Sequence, residues 1–119
     1  QWLILTMSFP EDELAELKQL CPEVAGCSDG GTFYLLLPGL ILPEGCNPSV
    51  ADALLCPTPR DGYNSRLFFD RVVSSRQALN WHMQNVRIAE RNWSAYSWKL
   101  NRAGLRLAQM VGEHLRALR

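Results

Sequence analysis

Apolar and polar positions along this chain follow three rhythms. Between Ser8 and Cys21, Leu14, Leu17, Leu20 and Cys21 recur at helical spacing behind a Ser8-x-x-Glu11 box, with Pro10 in the first turn. Pro22 stops the pattern, so a helix is predicted over 8–21. Gly26-Cys-Ser-Asp-Gly-Gly31 reads as a turn cluster. Thr32 to Leu37 is β-branched, aromatic and aliphatic, as a buried strand should be; Pro38-Gly39 interrupts it and Leu40 to Leu42 continues it. Val50 to Leu55 and Ser65 to Phe69 give two more short strands between Pro- and Gly-rich turns, which predicts an antiparallel meander. From Val72 the rhythm fades. Gln77 to Glu90 carries only weak helical spacing through Ala78, Trp81, Val86 and Ile88. Leu100 to Leu118 then restores it, with Leu100, Gly104, Leu107, Val111, Leu115 and Leu118 along one side and arginines opposite. The predicted class is α+β: an N-terminal helix, an antiparallel meander, an irregular flap and a C-terminal helix. One domain would cover 8–118, with 1–7 a short N-terminal extension.

Composition narrows the function classes. The 119 residues suffice for one hydrophobic core, and 47% of them are apolar. Twelve basic residues balance twelve acidic ones, which argues against nucleic acid as the main partner. The basic residues gather late: seven of them, against Glu90 and Glu113, lie between Arg87 and Arg119. A solvated helix face accounts for that as well as a binding patch does. No apolar run is long enough to cross a membrane. Gln1 to Met7 lacks the basic leader and cleavage site of a signal peptide and reads as a short strand or the remnant of something upstream. Cys21, Cys27, Cys46 and Cys56 can pair in three ways, but without a secretory signal reduced thiols in a cytoplasmic protein are expected. Their spacing matches no zinc pattern, so neither a metal nor a small-molecule cofactor is expected.

Several segments carry a resemblance. Leu54-Leu-Cys-Pro-Thr-Pro-Arg-Asp-Gly-Tyr63 with Asn64-Ser-Arg-Leu-Phe-Phe69 resembles the third strand, turn and fourth strand of the ubiquitin-conjugating enzyme fold. Tyr34 to Pro48 is similar to the first hairpin of its prokaryotic branch, family E, and Asn92-Trp-Ser-Ala-Tyr-Ser-Trp98 resembles that branch's aromatic segment. The resemblance implies a bacterial ubiquitin-like conjugation component, with a ubiquitin-like protein and an adenylating activating enzyme as partners. The activating enzyme would meet the first helix at its acidic face, Glu11-Asp-Glu13 and Glu16; a solvated face is the plainer account. The family's nucleophile does not carry over. Between Val72 and Trp98 there is no cysteine and no His-Pro-Asn, and the prolines expected after Tyr63 are missing. Cys46 and Cys56 fall within the meander.

Four residues remain as candidates for acyl transfer. His82, the one histidine of the flap, can act as a base or oxyanion donor; a histidine hydrogen-bonded between Trp81 and Met83 is the plainer role. Tyr96 stands where the resembled branch has a histidine, and it can orient a carbonyl or simply pack. Ser74 and Ser94, like Ser75 and Ser97, can form an oxyester in place of a thioester if a base activates them. His114, at helical spacing from Leu107, Val111 and Leu118, reads as structural. A conjugation component and a non-catalytic binding module for a ubiquitin-like partner are therefore both open, as is an unrelated α+β protein.

Overall fold

The computed structural model describes residues 9–100 and 102–119. Helix α1, Glu11–Leu20, starts after Pro10 with Glu11, Asp12 and Glu13 in its first turn, where carboxylates complement the helix dipole. The Ser8 cap expected from sequence lies outside the described residues. Leu14, Leu17 and Cys21 are buried, and the Cys21 thiol donates to the Pro38 carbonyl at 2.9 Å, tying the helix to the sheet.

Six strands follow: β1 Ala25–Asp29, β2 Thr32–Ile41, β3 Val50–Cys56, β4 Arg66–Phe69, β5 Met83–Ile88 and β6 Arg91–Ala95. They form one sheet, in the order β1-β2-β3-β4-β6-β5, and every pairing is antiparallel. Helix α2, Leu107–Arg116, closes the chain. The structure is thus α+β with a helix toward each end, as expected.

Three local expectations are corrected. Residues 26–29 are not turn but strand; the turn is Gly30-Gly31, both at positive φ (58° and 81°), which suits a two-residue hairpin between Asp29 and Thr32. The flap is not wholly irregular, and 77–90 is not helical. It holds the β5–β6 hairpin, which turns at Ala89 (φ 49°) and Glu90 (φ 66°) without the glycine that advertises such turns. The last helix starts at Leu107 rather than Leu100. Gly104, at φ 69°, breaks the pattern, and the Gln109 side chain accepts the Arg106 N–H at 2.8 Å to cap the true start. The interruption at Pro38-Gly39 survives as a register shift between Leu37 and Leu40 within a continuous strand.

The core has two layers. On one side of the sheet Leu14, Leu17, Leu107, Val111 and Leu118 of the helical layer pack on Leu35, Leu37, Ala53, Leu55, Leu67 and Phe69. On the other, Tyr34, Leu54, Cys56 and Phe68 meet Ile88, Trp93 and Ala95 of the β5–β6 hairpin, which curls over them. Phe69↔Ser94 joins the hairpin to β4. At its tip the Ala89 N–H donates to the Asp29 carboxylate at 2.7 Å, so the far edge of the sheet bends back to the first hairpin. Strands buried on both faces need no alternation, hence the unbroken apolar runs Tyr34–Leu37 and Leu67–Phe69.

Candidate functional site

The turn from β3 to β4 builds one end of the sheet. Arg60 and Tyr63 exchange backbone hydrogen bonds at 2.9 Å around Asp61 (φ 55°) and Gly62 (φ 83°). This closed turn sets Arg60, Asp61 and Tyr63 above the first residue of β4, Arg66. Strand alternation puts Arg66 on the same face as Phe68, at the margin of the second core, with its side chain only 2% exposed.

A buried guanidinium needs acceptors, and this one has few. It donates to the Tyr96 carbonyl at 3.2 Å, to the Met83 sulfur at 3.1 Å and to His82 Nε2 at 3.4 Å. Arginine has no acceptor, so in this contact His82 Nε2 is the accepting atom. The one carboxylate in range among the described residues, Asp61, stands 3.8 Å away, is 43% exposed, and is held more closely by Arg60 at 3.1 Å. Burial lowers the Arg66 pKa, partly offset by Tyr63 and Asp61. Aromatic faces supply the rest: the guanidinium carbon lies 4.2 Å from the Tyr63 ring centre and 5.7 Å from that of Phe68. Arg60 lies 5.5 Å from the Phe68 ring and donates to the Tyr34 hydroxyl at 2.6 Å; Lys99 stands 5.8 Å from the Tyr63 ring. Three cations therefore surround these rings, two of them paired with Asp61.

The crossover after β4 brings His82 to this cluster, where its ring stacks on Tyr63 with centres 6.2 Å apart. Tyr96 lies beneath rather than in it. Its ring packs between Phe69 and Trp81, its hydroxyl donates to the His114 carbonyl at 2.5 Å, and burial pushes its pKa far up. What reaches Arg66 from Tyr96 is the backbone carbonyl. Ser94 is buried in β6 opposite Phe69. Ser74 is elsewhere: its backbone exchanges hydrogen bonds with Asn47 at 2.9 Å, which the strand register places at the opposite end of the sheet. Of the flap serines, Ser97 is the one joined to the cluster, through a 2.8 Å hydrogen bond with the Tyr63 hydroxyl.

Cys56 stands directly across the strand register from Arg66, but no thiol at the cluster reaches its surface. Cys56 shares the second core with Trp93 but is fully buried, with its thiol donating to the Thr58 carbonyl at 3.3 Å. Burial raises the pKa of Cys21, Cys27 and Cys46, the opposite of what a nucleophile needs. All four cysteines are free thiols. No family model, no curated protein and no solved structure matches the chain. Its function has to be read from the fold and from this cluster.

Two supporting features surround it. The His114 ring is buried beside β4, with Nε2 at 2.9 Å from the Ser65 hydroxyl; desolvation, then the charge of Arg66, pushes its pKa down to about 4 against a weaker upward pull from Glu113. A pocket of about 300 Å³ opens next to Ser65, between Asn64, Leu100 and Gly104. The described residues contain no group of three or more metal-ligating side chains, and no helix among them is long and apolar enough to cross a membrane. Sequence reading took Asp61-Gly62 as a plain turn and passed over Arg66. An arginine directly at the head of the apolar run Leu67-Phe-Phe69 was the signal available.

Proposed function

We propose that this chain is a bacterial ubiquitin-like conjugation component that positions a ubiquitin-like protein for transfer without carrying it covalently. One observation carries the reading: the cluster around Arg66 offers cations, aromatic rings and His82, while its one neighbouring thiol, Cys56, is fully buried. The order of elements supports it, since a helix, an antiparallel run β1 to β4, a site-bearing crossover and a final helix follow the order that the resemblance implies. The four free thiols agree with a reducing, cytoplasmic setting.

The acidic face of α1 is mostly engaged within the chain. Arg106 binds Asp12 at 2.7 Å and Glu16 at 2.8 Å, and Glu13 accepts the Leu107 N–H at 3.1 Å. An activating enzyme would therefore meet a face already neutralised by α2.

The test mixes the protein with a ubiquitin-like partner, its activating enzyme and ATP, then measures binding and intact mass. The expected result is association with no added mass. A hydroxylamine-labile adduct that disappears in Ser97→Ala, Ser94→Ala or Ser74→Ala would replace this reading with that of a serine acyltransferase.

A further inference from the structure

We infer that the Arg66 cluster is a receptor for the free carboxylate at the C-terminus of an extended peptide chain. The inference deepens the reading above, on which it rests for the identity of the partner though not for the chemistry; it concerns the tail before activation, while its carboxylate is still free.

The argument starts from charge. Arg60, Arg66 and Lys99 gather around the Tyr63 and Phe68 rings, and among the described residues Asp61 is the carboxylate paired there, with Arg60 and Arg66, so the spot carries a positive surplus. Arg66 is buried with a thioether, an imidazole and one backbone carbonyl as its acceptors. A low-dielectric wall behind a poorly neutralised cation strengthens its field toward the open side. That side carries groups able to touch a ligand. Lys99 and His82 are exposed, and the Arg60 side chain is 27% exposed. An anion entering there pairs with Lys99 and Arg60 and lies in the field of Arg66, whose own side chain is only 2% exposed.

The sheet edge beside the cluster says what the anion is attached to. Strand β5 ends the order of strands and pairs only with β6, so its outer side has no strand partner among the described residues. It begins at Met83, next to His82, within reach of the Arg66 guanidinium. A chain laid along that edge gains main-chain hydrogen bonds and places its end at the cations. The register shift between Met83 and Val86 confines regular pairing to part of the strand, which makes the terminal charge the main source of affinity.

Calorimetric titration of the full chain tests this, with an N-acetylated heptapeptide of alternating valine and threonine ending in a free carboxylate. The same peptide with an amidated end and inorganic phosphate serve as the other probes. Binding by the free acid, weakened about tenfold or more by amidation and likewise by Lys99→Gln or Arg60→Gln, is the result expected for losing one charge-assisted hydrogen bond. Both variants change exposed or partly exposed side chains, so circular dichroism can confirm that they fold. Equal binding of acid and amide, no binding of either, or phosphate binding as tightly as the acid would each overturn the inference. If this generic peptide binds as well as a ubiquitin-like tail does, the receptor stands and the ubiquitin-like reading falls. If a ubiquitin-like protein binds equally well with its tail removed, that reading stands and the receptor falls.

Discussion

Arg66 and His114 are both buried at 2% exposure, and they answer to pH and mutation in different ways. His114 is held neutral, with a folded pKa of about 4 against the unperturbed value near 6.5. Between those values the unfolded chain binds a proton that the native state refuses, so stability is complete above about pH 6.5 and falls as pH drops toward 4. The groups facing His114 are Ser65 just before β4, Arg66 at its start, the Tyr96 hydroxyl at its carbonyl, and Glu113 on its own helix. Urea unfolding at pH 7 and pH 5 should differ by about 2 kcal/mol from this group. His114→Gln should flatten that difference; an unchanged pH dependence would show that His114 titrates normally. Arg66→Met makes the opposite kind of prediction. Replacing a poorly paired buried cation with an apolar chain of similar length should cost no more than about 1 kcal/mol of stability. A loss of about 3 kcal/mol or more in the same unfolding experiment would mean that Arg66 is a structural keystone instead.

Among the elements, the β5–β6 hairpin is where the structure departs furthest from the sequence pattern. Its turn residues, Ala89 and Glu90, occupy left-handed backbone that disfavours side chains with a β-carbon. The double change Ala89→Asn with Glu90→Gly supplies the preferred turn pair while keeping the Ala89 N–H that Asp29 accepts. It should raise the unfolding free energy by about 1 kcal/mol, and a decrease would show that these side chains matter more than their backbone does. Trp93 fastens the same hairpin from inside: its ring is buried and its indole N–H donates to the Ile88 carbonyl at 3.1 Å. Trp93→Ala should cost about 3–5 kcal/mol in denaturant unfolding, and a change below about 1 kcal/mol would mean the hairpin is not held by its core. These facts also explain what could be read in advance. Helix α1 and strands β2 to β4 were visible because propensity, stop signals and burial agree there. The hairpin was hidden because Ala-Glu is not a hairpin signature and because Gln84, Asn85 and Arg87 dilute its apolar positions. The start of α2 was overrun because the Leu100 and Gly104 positions continue the helical stripe, while the backbone at Gly104 does not.

In the whole molecule, one end of the sheet gathers three cations and two aromatic rings around Asp61. His82 stood out as the one histidine of the flap and Tyr96 through the resemblance, and the fold sets both against Arg66, one through its ring and the other through its carbonyl. Ser74 could not be separated from them by sequence distance alone, because only the strand register reveals that it belongs to the other end. The cluster itself depends on the Arg60-to-Tyr63 turn, the first residue of β4 and the exit from β6 arriving at one place, a three-dimensional coincidence that no local pattern encodes. The most direct check is a chemical-shift titration of the isotope-labelled full chain with a peptide bearing a free terminal carboxylate. The account predicts that perturbed amides centre on Tyr63, Arg66, His82, Met83 and Lys99. Perturbations centred on Asn47 and Ser74 at the opposite end, or none at saturating peptide, would contradict it.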